Sequence, residues 1–261
     1  EDKTMYGAII GDIIGSIYEF HNVRHKDISI DHPGMHFTDD TVLTIATMDA
    51  ILHPEVGYAK MYKQYFRDYV DSNCGFGGRF YQRGLRDSLE PYDSFGNGSA
   101  MRVSPVAWIY DTEEEVLSEA KRSAEVTHNH PEGIKGAQAI ALAIYLARKG
   151  VDKEVIGSTI TERFGYSLSS SIEELQKTNL FDETCQGSVP DALICFLNSI
   201  GFEDCIRTSI SIGGDSDTIA CMAGSIAEAY YGLDKKWIKF ADDHLNNYLR
   251  NVVKAFYTKY L

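Results

Sequence analysis

Thr38-Asp39-Asp40-Thr41 runs straight into Val42-Leu43-Thr44-Ile45-Ala46, and Asp215-Ser216-Asp217-Thr218 runs straight into Ile219-Ala220-Cys221-Met222-Ala223. In both places apolar residues at helical spacing follow an oxygen-rich start, so each stretch reads as a helix with an acidic N-terminus. Either cluster alone is accounted for as a helix cap, which the macrodipole also favours. Both, however, are oversupplied. Thr38, Asp39 and Asp40 stack three oxygen donors on one helix start, and Gly213-Gly214 precede the second cluster with backbone free to adopt the conformations that converging carboxylates need. Two such starts from distant parts of the chain suggest one split site for hard cations. Four carboxylates in one pocket repel one another unless divalent ions offset their charge, and oxygen-only donors select Mg²⁺, Mn²⁺ or Ca²⁺ over zinc.

The same periodicity extends along the chain, and alternating β-branched runs are scarce, so the fold class is all-α. The expected helices are Ala8–Tyr18, Asp39–Leu52, Tyr58–Val70, Glu113–Thr127, Gly133–Lys149, Lys153–Phe164, Pro190–Asn198, Glu203–Ser211, Asp217–Tyr231 and Lys236–Tyr257. Pro190 suits a first helical turn, and Gly150 stands where a helix stops. Between them, His21 to Phe37 is irregular, and Cys74 to Ala100 is a glycine-rich region suited to a binding wall. Short connections elsewhere point to one orthogonally packed bundle. Gly7, Gly11 and Gly15 form a ridge on the first helix, and Ala220, Gly224 and Ala227 form a similar one after Asp217, so those two helix axes can approach closely.

Composition narrows the function classes. The 261 residues are 44% hydrophobic, enough for one sizeable core, and no Pro/Gly/Ser-rich linker divides them. A net charge of −13 disfavours general nucleic-acid binding and anionic lipid surfaces. Five cysteines without a C-x-x-C pair suit buried thiols in a reducing compartment. No apolar run reaches the ~20 residues of a membrane span and no basic leader is present, so a cytoplasmic monomer is the simplest expectation. Residues 1–4, ahead of Met5, read as a cloning remnant, which leaves 5–261 as the folded unit.

Met5-Tyr6-Gly7-Ala8-Ile9-Ile10-Gly11-Asp12, Gly15 and Glu19, Phe37-Thr38-Asp39-Asp40-Thr41, Ser94-Phe95-Gly96-Asn97-Gly98-Ser99-Ala100-Met101-Arg102, Thr127-His128 and Gly213-Gly214-Asp215-Ser216-Asp217-Thr218 occur in this order. The ordered set resembles the ADP-ribosylglycohydrolases, a family that includes the dinitrogenase-reductase-activating glycohydrolase and the ADP-ribosyl-acceptor hydrolases. The resemblance implies an all-α fold, a centre of two divalent cations, Mg²⁺ or Mn²⁺, and hydrolysis of the bond joining ADP-ribose to an acceptor. It assigns Thr38, Asp39, Asp40, Asp215, Asp217 and Thr218 as metal ligands and Glu19 as the catalytic acid/base. The glycine segments would present backbone amides to the diphosphate, which brings Gly77, Gly78, Ser94, Gly96 and Asn97 to the substrate. Tyr92 and Phe95 would stack adenine, and His128 would line the cleft. Asp12, two turns before Glu19 if the helix persists, is expected to bond backbone amides or orient a metal ligand. His21 and His25 are expected as loop residues, and Asp71 and Asp87 as candidate acceptor-side carboxylates.

The chemistry that the resemblance implies is intelligible from the residues. Breaking a ribosyl C1 bond develops oxocarbenium character, so a carboxylate must stabilise charge or activate water while the leaving group is protonated. The expected substrate is an ADP-ribosylated protein (arginine or serine) or a small-molecule conjugate. Two other functions suit the same residues: a two-metal nucleotide phosphoesterase, and a catalytically silent ADP-ribose binder.

Overall fold

The computed structural model describes residues 4–261, and residues 1–3 of the expected N-terminal remnant lie outside that range. Chain order begins with α1 (Gly7–Gly15), α2 (Asp39–Leu52), α3 (Tyr58–Tyr69), α4 (Gly78–Gly84) and α5 (Gly98–Met101). The middle of the chain forms α6 (Glu113–Glu125), the alanine-rich α7 (Pro131–Arg148) and α8 (Lys153–Phe164). Then α9 (Ile172–Thr178), α10 (Cys185–Leu197) and α11 (Phe202–Ser211) lead to α12 (Ser216–Tyr231), α13 (Lys235–His244) and α14 (Asn247–Tyr260). Among the described residues no strand forms, as the sequence predicts, and no helix is long and apolar enough to cross a membrane.

At the centre α12 packs against α1, α7, α10 and α11, and it is buried from Ser216 to Glu228. The two small-residue ridges explain its approach to α1. A Cβ on Gly11 would overlap the Ala220 carbonyl, one on Gly15 would overlap the Asp217 backbone, and one on Gly7 would stand 2.5 Å from the Gly224 oxygen. The same contact caps α1: the Glu228 carboxylate on α12 receives the Tyr6 and Gly7 amides at 3.2 and 2.7 Å. Thr4, set aside with the remnant, belongs to this cap, since its buried hydroxyl donates to Glu228 at 3.0 Å.

Several boundaries differ from the periodicity. α1 stops at Gly15 and not at Tyr18, because the Ser16 hydroxyl turns back to the Ile13 carbonyl at 2.7 Å and the Tyr18 amide closes onto Gly15 at 2.9 Å. Asp12 and Glu19 therefore do not share one helix face. Pro190 lies inside α10, which starts earlier, where the Thr184 hydroxyl accepts from the Gly187 amide at 3.0 Å. The long C-terminal helix is two: Leu245 is extended, and Asn246 opens α14 by accepting from the Leu249 amide at 2.9 Å. Gly150 ends α7 as expected. With φ +78° it lets its own amide reach Ala147 at 3.0 Å and the Val151 amide reach Leu146 at 3.1 Å, which satisfies two terminal carbonyls.

Candidate active site

Thr38 opens α2 in extended conformation, with its hydroxyl 3.3 Å from the Asp40 amide. Asp12, fully buried on α1, holds this helix start from behind. Its Oδ2 accepts from the Thr38 amide at 2.8 Å, the Thr41 hydroxyl at 2.6 Å and the Thr41 amide at 3.2 Å, and its Oδ1 accepts from the Thr38 hydroxyl at 2.6 Å. With its proton committed to Asp12, the Thr38 oxygen keeps lone pairs that face Asp40 Oδ2 at 3.2 Å and Asp217 Oδ2 at 3.4 Å.

The second acidic stretch arrives from the other side. Gly213 and Gly214 turn the chain with φ of +67° and +78°, conformations that a side chain rarely adopts, and deliver Asp215 to the start of α12. Carboxylate oxygens of Asp12, Asp40 and Asp217 lie within 4.8 Å of one another, and so do those of Glu19, Asp215 and Asp217. Asp217 belongs to both groups. Glu19, Asp39, Asp40, Asp215, Asp217 and Thr218 line a single cleft, with Thr38 and Asp12 just behind it.

Burial, then mutual repulsion, raises the pKa values of Asp39, Asp40 and Asp217 well above the usual carboxylate range. Burial raises Asp12 and Asp215 as well, against hydrogen bonds that favour their charged forms. Glu19, half-buried, is pushed up to about 7 by desolvation and by Asp215, Asp12 and Glu183. The Asp40 Oδ1 is buried without any hydrogen-bond partner. An orphaned carboxylate oxygen within an all-oxygen donor set fits divalent cations of the hard class.

The remaining expected residues line the same cleft. Gly77, Gly78, Tyr92, Ser94, Phe95, Gly96, Asn97 and His128 all line it. The Gly96–Asn97 turn is pinned to the chain entering α10: the Asn97 amide donates to Glu183 at 2.7 Å, and the Cys185 amide donates to Phe95 at 2.9 Å. Asn97 also steadies the acidic end, because its side-chain amide donates to Asp215 Oδ2 at 2.8 Å and Ser188 at 3.0 Å. Phe95 is half-exposed, edge-on to His130, and the Tyr92 ring stands 6.0 Å from His128. His128 is buried, and desolvation with Arg102 and Arg79 nearby lowers its pKa well below the ordinary value.

Arg79, Arg102, Phe181, Glu183 and Thr184 also line the cleft, though no sequence expectation reached them. Arg102 is fully buried, stacked 3.9 Å over the Tyr62 ring, and two of its guanidinium nitrogens have no partner. The signal for both arginines was present: one follows Gly77-Gly78, and the other closes the Ser94–Arg102 stretch. Phe181 to Thr184 carries no such signal. Asp71 and Asp87 do not line the cleft, and Asp87 pairs with Arg67 on the surface at 3.2 Å. His21 and His25 lie exposed in the loop after α1, as expected.

A sequence model of the family described as ADP-ribosylglycohydrolase matches residues 3–260. The chain belongs to that family. Within the ADP-ribosylglycohydrolases it is 31% identical to human ADP-ribosylhydrolase ARH3, over 88% of this chain and 84% of the human protein. It is 26% identical to ADP-ribosylarginine hydrolase Tri1 of Pseudomonas putida (strain GB-1), over 90% of this chain and 72% of that one. A solved structure titled "ADP-ribosylglycohydrolase-related protein complex" superposes with a TM-score of 0.74 at 21% identity, covering 98% of this chain and 96% of its own, which establishes the helical fold. As a member of this family the protein is a hydrolase of glycosyl bonds.

Proposed function

We propose that the protein cleaves the glycosidic bond between ADP-ribose and an acceptor, an arginine or serine side chain or a small-molecule conjugate, and that it needs two divalent cations, Mg²⁺ or Mn²⁺, to do so. The observation that carries this reading is the shared position of Asp217, which joins the Asp12–Asp40 and Glu19–Asp215 groups into one oxygen-rich centre. Thr38, Asp39, Asp40, Asp215, Asp217 and Thr218 are the proposed ligands. Bound there, the cations would offset the clustered charge and grip the distal ribose hydroxyls.

The chain's own groups account for the rest. Desolvation first, and then the neighbouring carboxylates, push Glu19 up to about 7 in the metal-free protein, and the desolvation persists with cations bound. Protonated, it can donate to the leaving group; ionised, it can take a proton from the attacking water. Carboxylates beside the reacting carbon would favour the positive charge that develops on the sugar. Asp12 bears on the reaction through Thr38, whose orientation it sets. The Gly77–Gly78 and Gly96–Asn97 backbone, with Arg79 and Arg102 in the same lining, offers the positive potential that a diphosphate requires on a protein of charge −13.

Incubation with ADP-ribosylated arginine, serine and nucleotide conjugates, with Mg²⁺ and with chelator, tests the reading. The expected product is free ADP-ribose with its diphosphate intact, and only in the presence of metal. AMP or inorganic phosphate as product would establish a phosphoesterase, ADP-ribose binding without turnover would establish a silent binder, and full activity in chelator would remove the metal assignment.

A further inference from the structure

We propose that Arg102 and Thr127 are positioning residues that hold His128 as the neutral Nε2–H tautomer, so that the arginine end of the cleft offers an uncharged N–H donor to an anionic oxygen of the ligand. The assignment follows from matching donors to acceptors. A guanidinium has only N–H groups, and Arg102 Nη2 stands 2.8 Å from Thr127 Oγ1, so the threonine oxygen accepts there. The Thr127 hydroxyl proton then has two acceptors within hydrogen-bond geometry, the Ala124 carbonyl at 3.4 Å and His128 Nδ1 at 2.7 Å, whereas the neighbouring Tyr92 hydroxyl forms no hydrogen bond. The Ala124 carbonyl is already supplied by the Thr127 and His128 amides at 3.1 and 2.7 Å. The proton therefore goes to Nδ1. A ring nitrogen that accepts carries no hydrogen, and a neutral imidazole then bears its proton on Nε2.

Nε2 is the nitrogen that faces the ligand space. A Cβ on Gly98 would stand 3.0 Å from it and one on Gly96 3.7 Å, so it looks onto the Gly96–Gly98 turn that lines the cleft. The charged groups that bear on this ring are the cations Arg102 and Arg79, and the Tyr92 phenol ring lies 6.0 Å away. With cations behind it the imidazolium form is disfavoured, and burial acts in the same direction. Arg102 is itself held by the Ser123 carbonyl at 3.0 Å and by the Tyr62 face, so the relay starts from an anchored group.

The ligand half of this proposal rests on the ADP-ribose reading above, whereas the tautomer half stands without it. Long-range ¹H–¹⁵N spectra of the ligand-free protein read the tautomer directly. His128 is expected to show a protonated Nε2 and an unprotonated Nδ1 at neutral pH. Thr127→Val removes the hydroxyl and is expected to give mixed tautomers with roughly tenfold weaker binding of free ADP-ribose, the size of one hydrogen bond to a charged group. Thr127→Ser should restore both. A wild-type ring protonated on Nδ1, or on both nitrogens at neutral pH, overturns the lock. A Thr127→Val protein with altered tautomer but unchanged ADP-ribose affinity overturns the donor role. If Thr127→Val does not fold, the wild-type and Thr127→Ser spectra still decide the lock, and ADP-ribose titration of His128→Gln against His128→Ala, expected to favour Gln, decides the donor role. Absence of ADP-ribose binding by the wild-type protein overturns the donor role together with the proposed function, while the spectrum still reports on the tautomer.

Discussion

The cleft sets two groups against each other: six carboxylates drawn together, and two arginines, a neutral histidine and two glycine turns that share the same lining. The acidic end has acceptors without donors: Asp40 Oδ1 is orphaned, although Asp12 is saturated by Thr38 and Thr41 and Asp215 is held by Asn97. The second group has donors without acceptors, since Arg102 keeps two unpaired nitrogens. A buried polar group that finds no partner costs stability, so each group has room for an external partner of opposite character. Under the proposed function, cations would complete the first and an anionic diphosphate the second.

The comparison breaks most visibly at Glu19. Glu19→Gln is expected to lower kcat by roughly 10²–10⁴-fold, the usual worth of a general acid/base, while free ADP-ribose binds within a few-fold of wild type. Single-turnover kinetics with calorimetry separates the two, and unchanged turnover removes the assignment. Next comes Gly15→Ala, where the added Cβ meets the Asp217 backbone. The variant should lose about 1–3 kcal/mol of stability, as overpacking does, and should lose Mg²⁺ affinity along with it. Thermal melts with and without Mg²⁺ show whether the α1–α12 approach sets the position of the ligand; a stability loss with intact affinity says that it does not.

Asp12→Ala sharpens the picture within the acidic end. Because Asp12 acts by orienting Thr38 and Thr41, its loss should weaken Mg²⁺ binding by about 10–100-fold, the usual effect of an outer partner, and less than Asp217→Ala does. Equal losses in calorimetric titration would make Asp12 a ligand. The smallest effect concerns pH. Asp39, Asp40 and Asp217 have raised pKa values in the fold, so the native state binds more protons than the unfolded one. Stability without metal is therefore greatest below the unfolded carboxylate values of about 4 and is lost as pH rises through the folded values, about 7 for Glu19. In chelator Tm should fall by several degrees from about pH 5 to pH 8, and Mg²⁺ should flatten the slope. A metal-free profile that does not fall with pH contradicts the charge argument.

Much of this site was legible because it was written as excess. Thr38, Asp39 and Asp40 offered more oxygens than one cap uses, and the Gly7, Gly11, Gly15 ridge left the room that α12 fills. Glu19 and His128 were legible through family resemblance and not through spacing, since the turn at Ser16 breaks the register between Asp12 and Glu19. α4, α5 and α9 escaped because helices of seven residues or fewer carry too little periodicity to stand out. The Pro190 expectation failed because a cap at Thr184 outweighed the proline's preference for a first turn.

The amino-acid order alone determined which stretches become helices with an apolar face, where Gly150 stops one, and which carboxylates are too many for their local duty, because these properties arise within a few turns of chain. Only the tertiary structure decided that Asp217 serves two groups of carboxylates, that Phe181 to Thr184 walls the cleft, and that Arg102 reaches His128 through Thr127. Those relations join residues as far apart as Asp12 and Asp217, and they exist only where packing brings the backbones together.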